Sequence, residues 1–413
     1  MRRMERDEHT WEGEPSLTVQ ELEASYLAHY DLGPGYPQIE VPSFIRELYL
    51  DDAIENLSLR FAPFWSPEKQ AQVDADLESA VRLFVGIPSA TEGPIRATFS
   101  GSVALERAMT AVIGIARDRD ALPMTVVTTS PSIDIMKLFL QERVGVDAVF
   151  VPNHRQGVLG NSDAEALVDE LNMAKRRRPE GLVVALLTSP ENPTGAVWSR
   201  EELRVIGATC AELDAVLIMD HCFVTAGVHE AADVPRVWDL NDVGCHWIAI
   251  WDTGKTFGLN EDKLGFIICG SRLAQEAVDK ALAVLQFGVA RRQKMFFGEL
   301  LRRAFFFDHA EELQKVCREN LAAAMCLSGA LFVPVAPTAG SLLLLDISEL
   351  TVADELARSR LLTAGVGVIA GRVFFHSAQW RPNCYLRVAL ARRPAYFAEA
   401  LQRLNTLLAE WAA

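Results

Sequence analysis

Between about residues 95 and 285, short apolar and β-branched runs alternate with helical stretches. The runs lie at 123–129 (PMTVVTT), 148–152 (AVFVP), 181–188 (GLVVALLT), 215–220 (AVLIMD), 246–253 (HWIAIWDT) and 264–270 (LGFIICG). Each is apolar throughout instead of at every second residue, which predicts strands covered on both faces and hence a largely parallel α/β sheet. Ser66-Pro67 predicts a helix start, because Ser accepts from the free amides and Pro fits the first helical position. Ser199 with Glu202 predicts another through a capping box. Lys175, Arg176, Arg177 and Arg178, just before Pro179, read as the cationic end of a helix.

From about residue 290 the pattern changes. One long helical segment (roughly 293–328) precedes the strand SLLLLDIS (341–348), a helix, VGVIA (366–370), YLRVALA (385–391) and a final amphipathic helix over about 394–411. This predicts a second, smaller α+β domain. The first 75 residues are irregular, with the turn-forming GPGYP at 33–37. The expected division is an N-terminal arm or lid (1–75), a large α/β domain (76–290) and a small C-terminal α+β domain (291–413), with part of the arm packed on the last.

Composition narrows the function classes. The chain has 413 residues, 50% of them hydrophobic and 23% charged, which supplies a large core and excludes disorder as the dominant state. Forty Lys and Arg against 55 Asp and Glu leave a net charge of −15, the wrong sign for a nucleic-acid partner. Seven scattered cysteines with no CxxC spacing suit a reducing compartment and argue against a zinc ribbon or a disulfide framework. The polar N-terminus is not a secretory signal, and no apolar stretch reaches the roughly 18 residues of a membrane span. The expectation is a cytoplasmic protein with no membrane and no nucleic-acid partner.

Two short glycine motifs carry no function. Gly254-Lys255-Thr256 lacks the glycine that a phosphate loop needs at Ala249, and Gly365, Gly367 and Gly371 miss the dinucleotide spacing by one residue. Four other features fall in order at strand or helix ends, where open α/β sheets bind ligands. Ser100-Gly101-Ser102 precedes a helical run and forms a candidate phosphate cradle. Ser189-Pro190-Glu191-Asn192-Pro193-Thr194-Gly195 follows the third run, Asp220 ends the fourth, and Lys255 sits just beyond the fifth, with Lys263 eight residues later.

With Arg387 of Tyr385-Leu386-Arg387-Val388, these anchors resemble the class I/II aminotransferase family, the pyridoxal 5'-phosphate enzymes of fold type I. Asn192 to Asp220 is 28 residues and Asp220 to Lys255 is 35, intervals typical of that family. The resemblance extends over nearly the whole chain from about residue 50. It implies a large domain with a mostly parallel, seven-stranded sheet, a smaller α+β domain, and a homodimer acting on a small amino-acid substrate. It also implies the roles. Lys255 forms a Schiff base and then shuttles protons at the substrate Cα. Asp220 pairs with the pyridinium nitrogen, and Asn192 donates to the ring's 3-oxygen. Lys263, where the family usually has arginine, holds the phosphate with Ser100, Gly101, Ser102 and Thr253, and Arg387 clamps the substrate carboxylate.

Three departures stand beside these matches. Phe223 replaces the tyrosine usual three residues after the aspartate, so one donor to the 3-oxygen is missing. Ile133, in Ser130-Pro131-Ser132-Ile133, stands where an aromatic ring usually stacks on the cofactor. Asp252 replaces the serine three residues before the lysine. Phe223 and Asp252-Thr253-Gly254-Lys255 resemble the branch of arginine-oxidising hydroxylases and capreomycidine- or enduracididine-forming enzymes, which use an N-terminal lid. Tyr30, Tyr36, Phe61, Phe64 and Trp65 could serve that way, or could pack as an arm across a dimer. The expectation is therefore a quinonoid that proceeds to elimination, replacement, oxidation or cyclisation in specialised metabolism, with an amino acid or S-adenosylmethionine as substrate. Ordinary transamination between an amino acid and a 2-oxo acid is the alternative. Arg291 and Arg292 are expected on a solvated helix face, or against an acidic substrate. His221 is expected to point away from the cofactor.

Overall fold

A computed structural model describes residues 24–59, 66–91, 93–155, 158–159, 163–230, 234–259, 261–285, 288–327, 329, 331–350, 352–377 and 382–412. Seven strands form the central sheet: β1 (Arg96–Thr98), β2 (Met124–Ser130), β3 (Val146–Pro152), β4 (Val183–Thr188), β5 (Val216–Asp220), β6 (His246–Asp252) and β7 (Gly265–Cys269). Their order is β1-β7-β6-β5-β4-β2-β3, and β7 alone runs against its neighbours. Every residue of β2, β4, β5 and β7 is buried, whereas β3 at the edge is mostly half-buried. The continuous apolar runs thus mark strands sandwiched between helix layers.

Alternation along these strands sorts side chains onto two cores. Val126, Val184, Leu186, Ile218, Ile248 and Ile250 pack on one side. Val127, Ala185, Leu187, Leu217, Met219 and Trp251 pack on the other. The first side is covered by helices α2 (Gly101–Asp118) and α5 (Arg272–Ala283); α1 (Pro67–Val85), α3 (Ala164–Arg177), α4 (Arg200–Glu212) and α6 (Arg291–Phe306) lie on the second. The expected caps form. Ser66 accepts from the Lys69 amide with Pro67 opening α1, Ser199 and Glu202 close a capping box on α4, and Lys175, Arg176 and Arg177 occupy the last turn of α3.

A second, antiparallel sheet contains β8 (Val333–Val335), β9 (Leu342–Asp346), β10 (Ile369–Ala370) and β11 (Tyr385–Ala389), in the order β8-β9-β11-β10. Its own core is closed by helices α7 (His309–Cys326) and α8 (Pro394–Ala412), through Leu313, Cys317, Phe397, Leu401 and Leu404. Two expectations change. The single helix over 293–328 is two, broken at Asp308, whose φ of +50° no helix accommodates. Its first half, α6, packs on α1 and sends Phe297, Leu300 and Leu301 into the core of the large sheet. The run at 366–370 is split: Ile369–Ala370 joins β11, while Val366–Gly367 pairs in parallel with Tyr30–Asp31. The arm therefore enters beside the small sheet. Among the described residues no helix is long and apolar enough to cross a membrane, and no group of side chains could hold a metal ion. All seven cysteines are free.

Candidate active site

Parallel strands deliver their C-terminal ends to one edge of the sheet, so residues just past β4, β5 and β6 converge there. Asp220 is the last residue of β5, and its carbonyl accepts from the Ser189 amide at 2.9 Å, tying the two strand ends together. The Asp220 carboxylate is buried, and its Oδ1 accepts from the Cys222 amide at 2.9 Å. Burial raises its pKa above the usual carboxylate range, outweighing the Cys222 bonds; the Asp252 charge raises it further, and the Lys255 charge lowers it. Such a carboxylate is poised to accept a cationic N–H partner.

Lys255 belongs to a one-turn helix, Gly254–Phe257, that follows β6. Its Nζ lies 5.7 Å from the centre of the Phe223 ring. Phe223 is itself buried, in contact with Leu342 and Ala389 of the small sheet, so at this position an apolar ring, with no hydroxyl of its own, faces the amine. Arg387, on β11, is buried as well. Its Nη1 donates to Asn192 Oδ1 at 3.2 Å, its Nη2 to the Gly33 carbonyl at 2.7 Å, and its guanidinium lies 4.9 Å from the Phe374 ring centre. The bond to Arg387 engages the amide oxygen of Asn192 and leaves its NH2 group facing elsewhere, as a donor.

Ser100 caps α2, its Oγ accepting from the Val103 amide at 3.2 Å. The Gly101 amide donates to Asp252 Oδ2 at 3.2 Å, and the Gly254 amide donates to Asp252 Oδ1 at 3.1 Å. A Cβ on Gly101 would meet that carboxylate and Cys222 Sγ at 3.0 Å each, so a side chain there would crowd both groups. Lys263 lies alongside: a Cβ on Gly254 would come within 3.0 Å of its Cδ. Ser102 is exposed on the first turn of α2. The Thr253 hydroxyl is buried beneath the β6–β7 connection, where it accepts from the Leu264 amide at 3.0 Å. Ile133 packs partly buried against the α2 core, and its carbonyl accepts from His376 Nε2 at 2.9 Å.

His221 points into the protein, donating from Nδ1 to the Ser189 carbonyl (2.7 Å) and accepting the Val237 amide at Nε2 (3.1 Å). Burial pushes its pKa down to about 3, so it is neutral. Arg291 donates to Gln70 of α1 at 2.6 Å, and Arg292 is exposed on the same helix. Tyr30 and Tyr36 pack on Tyr396 and Tyr26 respectively; Phe61, Phe64 and Trp65 lie outside the described residues.

Two features of the site, Arg392 and Glu191, carry little signal in the sequence, and a third, Asp252, shows there only as an unusual residue. Arg392, which follows β11, is completely buried, and its guanidinium donates to the carbonyls of Asp31 (2.9 Å), Pro34 (2.6 Å) and Tyr36 (2.9 Å). It straps the arm across the site, so that Gly33 reaches Arg387 and Gly35 approaches Phe223. Glu191 lies buried under the Asn192 loop and accepts from Thr194 Oγ1 (2.7 Å), Asn153 Nδ2 (3.0 Å) and Thr129 Oγ1 (3.0 Å). Burial, opposed by those three bonds, pushes its pKa up to about 7. Asp252 occupies two backbone amides. In the sequence, Arg392 looks like a solvated strand end and Glu191 like a loop acid; the unusual Asp252 is the one visible signal.

A mixed seven-stranded α/β sheet that gathers a lysine, a buried carboxylate and an arginine at its strand ends has the architecture of fold type I pyridoxal-phosphate enzymes. The sequence model of the aminotransferase class I and II family matches residues 145–404, and the chain belongs to that family: it is an enzyme, and its cofactor is pyridoxal 5'-phosphate. Kynurenine–oxoglutarate transaminase 3 of Rattus norvegicus is 25% identical over 352 residues, 78% of this chain and 70% of the relative. The methionine aminotransferase of Escherichia coli (strain K12) is 22% identical over 383 residues, 91% of this chain and 92% of the relative. In fold, the chain is similar to MppP soaked with the product 2-ketoarginine, at a TM-score of 0.73 and 19% identity, covering 91% of this chain and 99% of that one.

The residues present suit this cofactor. A desolvated Asp220 matches a protonated ring nitrogen, Lys255 offers the amine, and the first amides of α2 form the anion-binding end of an 18-residue helix.

Proposed function

We propose that this enzyme acts on an α-amino acid, or on S-adenosylmethionine, and carries out elimination, replacement, oxidation or cyclisation in place of transamination. The observation behind this reading is Phe223, buried 5.7 Å from the Lys255 amine with no hydroxyl to offer. Bound pyridoxal phosphate supplies the electron sink that makes the substrate Cα proton removable. Asp220 holds the ring nitrogen's proton, and Lys255 takes and returns the proton at Cα. Asn192, whose oxygen accepts from Arg387, would donate from its NH2 to the 3-oxygen, where Phe223 offers no second donor. Arg387 binds the substrate carboxylate through its planar fork, and Phe223 with the arm excludes water from the amine. Ser100, Gly101 and Lys263 would hold the phosphate, the Gly101 amide in exchange for its bond to Asp252.

The same reading makes the chain a cytoplasmic homodimer, in keeping with its seven free thiols. The names of the relatives favour a second reading, ordinary transamination between an amino acid and a 2-oxo acid.

One experiment separates the two. Loaded enzyme receives an amino acid or S-adenosylmethionine with no 2-oxo acid present, and product per site is counted. The proposed chemistry turns over many times; a transaminase stops after one equivalent of 2-oxo acid, with the cofactor converted to its pyridoxamine form. Lys255→Ala is expected to abolish product in either case and to lose the borohydride-fixed cofactor adduct.

A further inference from the structure

We infer that Asp252 sets how weakly this enzyme retains its cofactor, by occupying the phosphate cradle with a carboxylate of the protein's own. The inference rests on the cofactor reading of the site given above. The first amide of α2, that of Gly101, is the donor that a helix presents to an incoming anion, and here it points at Asp252 Oδ2 at 3.2 Å. The neighbouring Gly254 amide is taken by Oδ1 of the same carboxylate at 3.1 Å. Asp252 is only 5% exposed, so water screens its charge poorly, and the charge is felt at Asp220. No space separates it from the cradle, since a single added carbon on Gly101 would come within 3.0 Å of its oxygen.

A phosphate reaching this helix end therefore meets a fixed anion that already uses two of the amides. It must displace those bonds or settle beside a like charge, and either course costs affinity. Lys263, whose Cδ packs against Gly254, is one cation close to the two anions. The cofactor then depends on its bond to Lys255 for retention, and the phosphate contributes less than an uncontested cradle would provide. Asp252 is in this account an affinity-setting residue that does not touch the reacting atoms.

The test compares pyridoxal phosphate with pyridoxal, which lacks the phosphate, by equilibrium dialysis on the apo full-length protein. Asp252→Ser and Asp252→Asn both remove the charge; the first keeps an acceptor for one amide, and the second keeps the shape. Both are expected to bind pyridoxal phosphate at least tenfold more tightly than the unmodified protein, with pyridoxal binding unchanged. Inorganic phosphate should compete with the cofactor at correspondingly lower concentration in both. Lys263→Met should weaken cofactor binding, and adding Asp252→Ser should restore it. Unchanged or weaker cofactor binding in folded Asp252→Ser and Asp252→Asn overturns the inference. If the unmodified protein forms no borohydride-fixed adduct at Lys255 with either compound, the cofactor reading fails, and the inference fails with it. These outcomes are distinct.

Discussion

Arg387 is held from two sides, by Asn192 and by the Gly33 carbonyl, so its fork is oriented before any carboxylate arrives. Lysine offers a point charge with no fixed plane, and Arg387→Lys is not a conservative change at this position. A charge-assisted hydrogen bond contributes about 1.5–3 kcal/mol. The variant should therefore raise KM for the amino acid by roughly tenfold or more, at 1.4 kcal/mol per decade. A steady-state titration checks this, and an unchanged KM removes the carboxylate role. Glu191 makes a prediction about stability. Its folded pKa is raised from 4.5 to about 7, so the neutral form is the favoured one in the fold. Below the unfolded value both states hold the proton. Between about 4.5 and 7 the unfolded chain releases it first, so stability falls as pH rises through that window, by on the order of 3 kcal/mol from this group. Denaturant melts at pH 5 and pH 8 should show a smaller difference for Glu191→Gln than for the unmodified protein.

At the scale of elements, one buried side chain, Arg392, contacts the arm at three carbonyls. The arm pairs with Val366–Gly367 over two residues only, and the Leu32 carbonyl accepts from the Ala389 amide at 2.9 Å. Arg392 adds bonds to three carbonyls of residues 31–36, beside those that Arg387 makes to Gly33 and Gln38 makes to the Ala391 carbonyl. Burial lowers its pKa, so the charge is held at a cost that those bonds repay. Arg392→Met keeps most of the volume and removes all three donors. Amide hydrogen exchange over residues 30–36 should accelerate selectively, while β2, β4 and β5 stay protected. Uniform protection would show that the arm holds without its strap. Because Gly33 also bonds Arg387, the same variant should weaken substrate binding.

For the molecule as a whole, the contact between the loop after β4 and the segment before β9 fixes the two sheets relative to each other. The Gly195 carbonyl accepts from the Ala339 amide at 2.9 Å, and the φ of Gly195 is +68°. A Cβ there would come within 2.3 Å of the Ala339 carbonyl oxygen and 2.4 Å of Pro337 Cβ. Gly195→Ala combines an unfavourable backbone with a clash against a neighbouring segment, and should lower stability by about 2 kcal/mol or more. Thermal melts measure that loss. The Asn192–Arg387 bond spans the same junction, so the variant should also raise KM.

The order of elements, the buried strands and the candidate residues Asn192, Asp220, Lys255 and Arg387 were legible along the chain. Apolar runs and caps are local, and chemically demanding residues stand out at strand ends. The break at Asp308 was hidden, because a helical pattern continues across it. The packing of α6 on the large sheet was hidden too, since an amphipathic helix does not announce which core it faces. The resemblance places Thr253 among the phosphate ligands, whereas in the fold its hydroxyl is buried and accepts from the Leu264 amide. Arg392, Glu191 and Asp252 acquire their meaning only from neighbours far away in sequence: the arm, the Asn153 and Thr129 side chains, and the first amide of α2. What the sequence determined by itself is the kind of element at each position and the kinds of chemical group available at their ends. Which polar groups are desolvated, which are already spoken for, and which remain for a ligand was decided by tertiary packing alone, because burial and hydrogen-bond partnership belong to the assembled fold.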